Sequence, residues 1–177
     1  MPFSFVDDKK QPIGFSIDLC KRVVNSIERQ INVQPLKINW VPVTVQNRFD
    51  VVAKGQADME CGSSTVTLSR MKTVDFSSFI FVQTTSLVVG AGSGLRSLSD
   101  MSGKKIGAIA GTTNEQAVAR EIKRRQINAT VVKVKDVEEA AAMLDGGKID
   151  AFASDQLLLL GAASKFKDPK KFGILPE

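Results

Sequence analysis

Three strand-to-helix junctions in this sequence carry side chains suited to holding a charged small molecule. The first is Ser63-Ser64-Thr65 with Arg70 a few residues on; the second is Thr112-Thr113-Asn114; the third is Asp155. Hydroxyls and backbone N–H groups at a helix start favour an anion. An arginine within reach can grip a carboxylate through two parallel hydrogen bonds. A lone aspartate at another junction suits an ammonium. An anion grip together with a cation grip matches the zwitterion of an α-amino acid. Each residue also has a plainer reading. Thr112 is explained as a helix cap and Asp155 as another, Ser63 and Thr65 as turn residues, and Arg70 as a surface ion-pair partner.

The elements that must position these residues read as an α/β series. Residues 2–7 read as the end of a strand, and Asp7–Pro12 is a turn. Ile17, Cys20, Val24, Ile27 and Ile31 recur at helical spacing, with Ser16 as the expected N-cap. Residues 35–44 alternate as a strand, with Leu36, Ile38 and Trp40 on one face. Gln46–Lys54 is a short helix closed by Gly55, and Ala57–Cys61 a short strand leading into the first junction. Ser78–Val89 is rich in β-branched and aromatic residues and reads as one long strand. Gly90–Gly94 has G-x-G-x-G spacing but no Lys-Ser/Thr closure and no helix directly after it, so it is a surface loop and not a phosphate cradle.

The second half is more regular. Strands are expected over Lys105–Ala110, Ala129–Val134, Ile149–Ala153 and Phe172–Leu175. Thr112 with Glu115, and Asp136 with Glu139, have capping-box spacing and open two helices. The first runs to about Arg125 and pairs Glu121 with Arg125; the second ends at Gly146-Gly147. Asp155 opens a third. Strands alternating with helices imply a mostly parallel sheet whose ligand sites lie beyond the strand C-termini.

Composition removes several alternatives. Histidine is absent from all 177 residues, so no imidazole base, Ser–His–Asp triad or H-E-x-x-H zinc helix can be built. The 24 basic residues exceed the 19 acidic ones by 5. The excess is spread along the chain: 10 basic against 8 acidic up to Leu87, then 14 against 11. Lys123-Arg124-Arg125 is a helix end, where cations suit the dipole. Nothing clusters as a nucleic-acid surface would, and no cofactor or metal site is expected. No apolar window approaches a membrane span, and the first residues do not read as a signal peptide. Two cysteines do not make a disulfide scaffold; Cys20, on the apolar helix face, is expected to be a small core residue.

The sequence resembles the amino-acid-binding branch of the bacterial periplasmic solute-binding proteins that feed ABC transporters. The motifs that carry the resemblance are Pro2-Phe3-Ser4-Phe5, Gly14-Phe15-Ser16-Ile17-Asp18-Leu19, Gly55-Gln56-Ala57-Asp58, Thr67-Leu68-Ser69-Arg70, Val74-Asp75-Phe76-Ser77 and Gly111-Thr112-Thr113. They occur in the family's order and cover essentially the whole chain. Thr44-Val45-Gln46-Asn47-Arg48 and Glu60-Cys61-Gly62-Ser63 resemble the glutamate/aspartate-binding subgroup in particular.

The resemblance implies the two-lobed periplasmic-binding-protein fold of type II, with lobe one over 1–83 and lobe two over 84–177. Ser78–Val89 and Phe172–Glu177 would be the two crossovers. It implies a cleft in which Arg70, Ser63, Thr65 and Thr113 hold the α-carboxylate, Asp155 the ammonium, and Arg48 the side-chain carboxylate; Arg48 is otherwise a solvated helix residue. Thr112 belongs to the same motif. The partners would be a free amino acid and the membrane permease of an importer, in the periplasm, with no chemistry performed.

Two departures from the family pattern stand out. Lobe one would lack its opening strand and closing elements, which favours pairing of two copies and would leave Cys61 without a partner beyond the C-terminus. A histidine that can assist the acidic-ligand subgroup is matched by Val137. The alternatives are a receptor's amino-acid sensor domain and a cyclohexadienyl-dehydratase-like enzyme, for which Glu60 and Asp155 are the only nearby acids.

Overall fold

The computed structural model describes residues 2–162 and 168–175. The expected ends of the chain, Met1 and residues 176–177 of the second crossover, lie outside them. The chain divides into two compact units, Met1–Ser78 and Phe79–Glu177.

The first unit opens with an antiparallel pair, β1 (Phe5–Val6) and β2 (Pro12–Ile13). Their turn is closed by Asp7, whose Oδ1 accepts from the amides of Lys9 and Gln11 at 2.9 and 2.8 Å. Helix α1 (Phe15–Ile31) follows. Its N-cap is Gly14 and not Ser16, because the chain must fold back on Pro2 and Phe3 there. Gly14 has φ +124, and the amides of Phe15 and Ser16 donate to the carbonyls of Pro2 and Phe3. Ser16, one step inside the helix, is buried beside Ile17 and Phe3. Helix α2 (Arg48–Ala53) is fixed by the buried Val51 and followed by Gly55 at φ +64, the left-handed position expected after a helix.

Three expected strands are absent or shortened. Residues 35–44 and 57–61 form no strand, and 78–84 precede β3 (Thr85–Gly90) as irregular chain. Side-chain alternation is present in 35–44, but a strand is a property of a hydrogen-bonded pair. Among the described residues none of these segments has a ladder partner.

The second unit is a five-stranded sheet with helices on both faces. Its strands are β3, β4 (Lys105–Ile109), β5 (Thr130–Val134), β6 (Ala151–Asp155) and β7 (Phe172–Ile174), in the order β5-β4-β6-β3-β7. Helices α3 (Thr113–Arg124), α4 (Val137–Asp145) and α5 (Gln156–Ala162) complete it. The sheet is mixed and not mostly parallel. β4 pairs in parallel with β5 and β6, whereas β3 pairs antiparallel with β6 and β7. Parallel pairing is confined to the strands linked through α3 and α4, as the crossover requirement dictates.

The period of two along each strand builds two cores. Leu87, Val89, Ile106, Ala151 and Ala153 face one side and pack with Val118 of α3. Val88 and Phe152 face the other and pack with Ala140, Ala141 and Leu144 of α4 and Leu159 of α5. The caps expected from the two capping-box spacings are in place. Thr112 Oγ1 accepts from the Glu115 amide at 3.1 Å, and Asp136 Oδ1 from the Glu139 amide at 2.8 Å. The glutamates reach back one residue further than a standard capping box, to the amides of Gly111 and Lys135. The expected Glu121–Arg125 pair forms at 3.1 Å, and Arg124 joins it at 2.7 Å.

Candidate functional site

In the first unit, the start of α2 and the turn at Arg70 bring two arginines to one aromatic ring. The guanidinium carbon of Arg48, the first residue of α2, lies 5.0 Å from the centroid of Phe49. That of Arg70, which opens a 3-10 turn over Arg70–Lys72, lies 4.8 Å from it. Phe49 packs in turn against Phe76, with centroids 6.3 Å apart. A ring's face attracts cations, so one side chain holds two like charges close together. Burial, then the neighbouring charge of Arg48, lowers the pKa of Arg70, while Glu60 acts in the opposite sense. The site is thus a concentrated positive charge with one acid beside it.

The serine–threonine segment is tied to this arginine. Arg70 Nη1 donates to the Thr65 carbonyl at 2.8 Å, and the Arg70 amide donates to Thr67 Oγ1 at 3.2 Å. The Thr65 backbone thus lies at the guanidinium, with Ser63 and Ser64 directly before it in the chain. Ser64 Oγ is buried without a hydrogen-bond partner among the described residues. At Gly62 an added Cβ would meet the Glu60 carboxylate, so this glycine lets the acid fold over the segment.

The segment is also tied to α1. Cys20 and Cys61 form a disulfide. This corrects the expectation that Cys20 is a free core thiol and that the partner of Cys61 is missing. The two are 41 residues apart in sequence, and the bond joins α1 to the segment. Ser16 Oγ adds a bond to the Gly62 carbonyl at 2.7 Å.

In the second unit, the C-terminal ends of the parallel neighbours β4 and β6 share one edge of the sheet. Thr113 opens α3 beyond β4, and Asp155 ends β6. Thr112 is committed to the fold: its hydroxyl donates to the Ile109 carbonyl at 2.7 Å while capping α3. It positions Thr113. One residue at this edge, Thr85, belongs to none of the junctions read from the sequence. Thr85, opposite Asp155 in the β3–β6 ladder, donates through Oγ1 to Asn114 Oδ1 at 2.6 Å, and Asn114 is buried. Only the pairing of distant strands brings them together. Val137, where the family pattern has its histidine, packs against the core of the second sheet face.

Among the described residues no group of histidine, cysteine or acidic side chains is arranged to hold a metal. No helix there is long and apolar enough to cross a membrane.

A sequence profile of the bacterial extracellular solute-binding proteins, family 3, matches residues 1–103, more than half of the chain. The chain belongs to this family. It is 31% identical over 175 residues to the glutamate/aspartate import solute-binding protein of Salmonella typhimurium, covering 99% of this chain and 58% of that protein. It is 35% identical over 170 residues to the L-glutamate/L-aspartate-binding protein of Pseudomonas aeruginosa, covering 96% and 56%. Among solved structures, a periplasmic binding protein of an ABC transporter from Brucella ovis, with glutathione bound, superposes with a TM-score of 0.90 at 28% identity. The match covers 100% of this chain and 55% of that one. The chain of this family 3 member therefore spans little more than half the length of these three relatives.

Proposed function

We propose that this family 3 chain binds an acidic L-amino acid, glutamate or aspartate, in the periplasm and delivers it to the membrane permease of an ABC importer. The observation that carries the reading is the pair of guanidiniums, Arg48 and Arg70, on the ring of Phe49. Two cationic groups beside a hydroxyl segment suit a ligand with two carboxylates, and the arginine fork suits carboxylate geometry. In this reading Arg70 takes the α-carboxylate with Ser63 and Thr65, and Arg48 takes the side-chain carboxylate. On the second unit, Thr113 contributes donors and Asp155 accepts from the ammonium. The relatives named for glutamate and aspartate support the ligand class of this reading.

The chain acts by binding, without catalysis. The relatives matched above are named as solute-binding proteins, and Glu60 lies beside Arg70 as a counter-charge. Calorimetric titration with glutamate, aspartate, glutamine and arginine tests the reading. Heat with the first two, and weaker or no heat with the others, is expected. No heat with any of the four would overturn it.

A second reading is favoured by one observation, the structural likeness to the Brucella ovis protein with glutathione bound. The γ-glutamyl end of glutathione carries the same α-carboxylate and ammonium as a free amino acid. A γ-glutamyl peptide competing with glutamate in the same titration would support it.

Two copies pairing through the first unit belong to the same proposal. Residues 33–44 carry exposed Val33, Ile38, Trp40, Val41 and Val43 on chain without a ladder partner among the described residues. Exposed apolar chain of this kind favours burial against a second copy. Light scattering after size exclusion is expected to give a dimer mass. A monomer at high concentration would overturn this.

A further inference from the structure

The hydroxyl segment that the proposed site depends on has no regular structure of its own, yet it is fastened at three places within five residues. Residues 61–65 join no strand or helix. Cys61 is bonded to Cys20. The next carbonyl, of Gly62, accepts from Ser16 Oγ at 2.7 Å. Three residues on, the Thr65 carbonyl accepts from Arg70 at 2.8 Å. Ser16 and Cys20 are four apart in α1, so both project from one face of that helix. Their partners are adjacent in the chain. The helix thus grips the segment at two neighbouring points, and Ser63 and Thr65 lie between that grip and the arginine. A segment without ladder hydrogen bonds is low in local stability unless it is tethered.

We propose that Cys20 and Cys61 are positioning residues for ligand binding. Their disulfide, seconded by the Ser16–Gly62 hydrogen bond, holds Ser63 and Thr65 in register with Arg70, and opening the disulfide weakens the site. This rests on the amino-acid-binding reading above. It implies an oxidising compartment, where such bonds form and persist.

The test compares the oxidised chain with the same chain reduced by dithiothreitol. The reagent closes to its cyclic disulfide as Cys20 and Cys61 each gain a hydrogen. Two measurements are made: affinity for glutamate by calorimetry, and amide hydrogen exchange. Affinity is expected to fall tenfold or more on reduction, and about threefold in Ser16→Ala with the disulfide intact. Exchange at residues 61–65 is expected to quicken at least tenfold, while α1 stays protected. C20S/C61S should reproduce the reduced protein.

Reduced protein with two titratable thiols that binds within twofold of the oxidised form would overturn the proposal. So would loss of α1 protection together with the segment, since the bond would then hold the unit's fold and not the site. If the oxidised protein takes up no amino acid, the binding reading fails. The exchange data then judge the tether alone, and unchanged exchange at 61–65 overturns it.

Discussion

Arg70 donates from Nη1 to the carbonyl oxygen of Thr65 at 2.8 Å, so the arginine proposed to grip the ligand also fixes the hydroxyl segment beside it. That bond sets the plane of the guanidinium, which a lysine cannot reproduce: an ammonium is a point donor without the planar fork. Arg70→Lys keeps the charge and loses the geometry. Glutamate affinity measured by calorimetry should fall roughly 10- to 150-fold, corresponding to about 1.5–3 kcal/mol for a hydrogen bond to a charged group. An affinity within twofold of the parent would remove Arg70 from the carboxylate grip.

Phe49 supports both guanidiniums without carrying charge of its own. Replacing it with leucine keeps much of the apolar packing against Phe76 and removes the π face. Each cation–π interaction at a partly exposed site is worth about 0.5–1 kcal/mol. Because one ring serves both arginines, Phe49→Leu removes two such interactions and should weaken glutamate binding roughly 5- to 30-fold. The midpoint of thermal unfolding should move by only a few degrees, since the leucine still fills the space. Equal affinity in the variant would mean that the ring packs and does not orient.

How far sequence reached differs between the two units for physical reasons. In the second unit each strand and helix carries its own local signal, and Thr112 and Asp136 cap their helices where capping chemistry put them. Pairing partners lie within the described chain, so alternation became ladder. In the first unit the alternation of Leu36, Ile38 and Trp40 has no pairing strand among the described residues and is irregular. The arginines at 48 and 70 were legible as a pair of motifs. The ring between them was not, because nothing in the spacing says that Phe49 and not a solvated residue meets Arg70. The Cys20–Cys61 bond was missed for a related reason: a lone cysteine on an apolar helix face looks the same whether it meets leucine or another sulfur.

Glu115 offers a test of the second unit by pH. Burial raises its pKa, but the Lys133 ammonium at 3.0 Å and the Gly111 amide outweigh that, and the net result is a pKa below the usual 4.5. A carboxyl group depressed in the folded state stabilises above its unfolded pKa, and the contribution is lost as pH falls through the folded one. Glu115→Gln should therefore be less stable than the parent at pH 7. The gap measured by denaturant unfolding should close as pH drops below about 4.5, the ordinary glutamate value. A gap that persists undiminished to the lowest pH at which both proteins fold would show that the loss is in packing and not in charge.

Asp155 separates the zwitterion reading from a plain anion site. It ends β6 opposite Thr85, and Thr85 is itself bonded to the buried Asn114, so the edge around it is rigidly built. Asp155→Asn preserves size and can still cap α5, which starts at the next residue. If Asp155 receives the ammonium, glutamate affinity should fall roughly 10- to 100-fold, as expected for losing one charge-assisted bond. Binding of a dicarboxylate lacking the amino group, such as glutarate, should be unchanged or improved. Parallel losses for both ligands would assign Asp155 to the fold alone.

Gly14 decides where α1 begins, and through it where Ser16 and Cys20 point. Its φ of +124 is a conformation that other residues rarely adopt. An added Cβ would press on the Phe3 carbonyl oxygen, and would lie 2.7 Å from the carbonyl carbon of Phe3 and from the Pro2 oxygen. Those are backbone atoms and cannot rotate aside. The same two carbonyls accept from Phe15 and Ser16 at 3.1 and 2.9 Å, so relieving the clash breaks the bonds that start the helix. Gly14→Ala should destabilise the first unit by roughly 1–3 kcal/mol from strain alone, with the lost bonds adding to it. Hydrogen exchange is expected to show faster opening throughout α1 and at residues 61–65, while β3–β6 keep the protection of the parent. A variant whose α1 exchanges as slowly as the parent's would mean that the helix start tolerates the shift, and that the N-terminal turn does not set the position of the site.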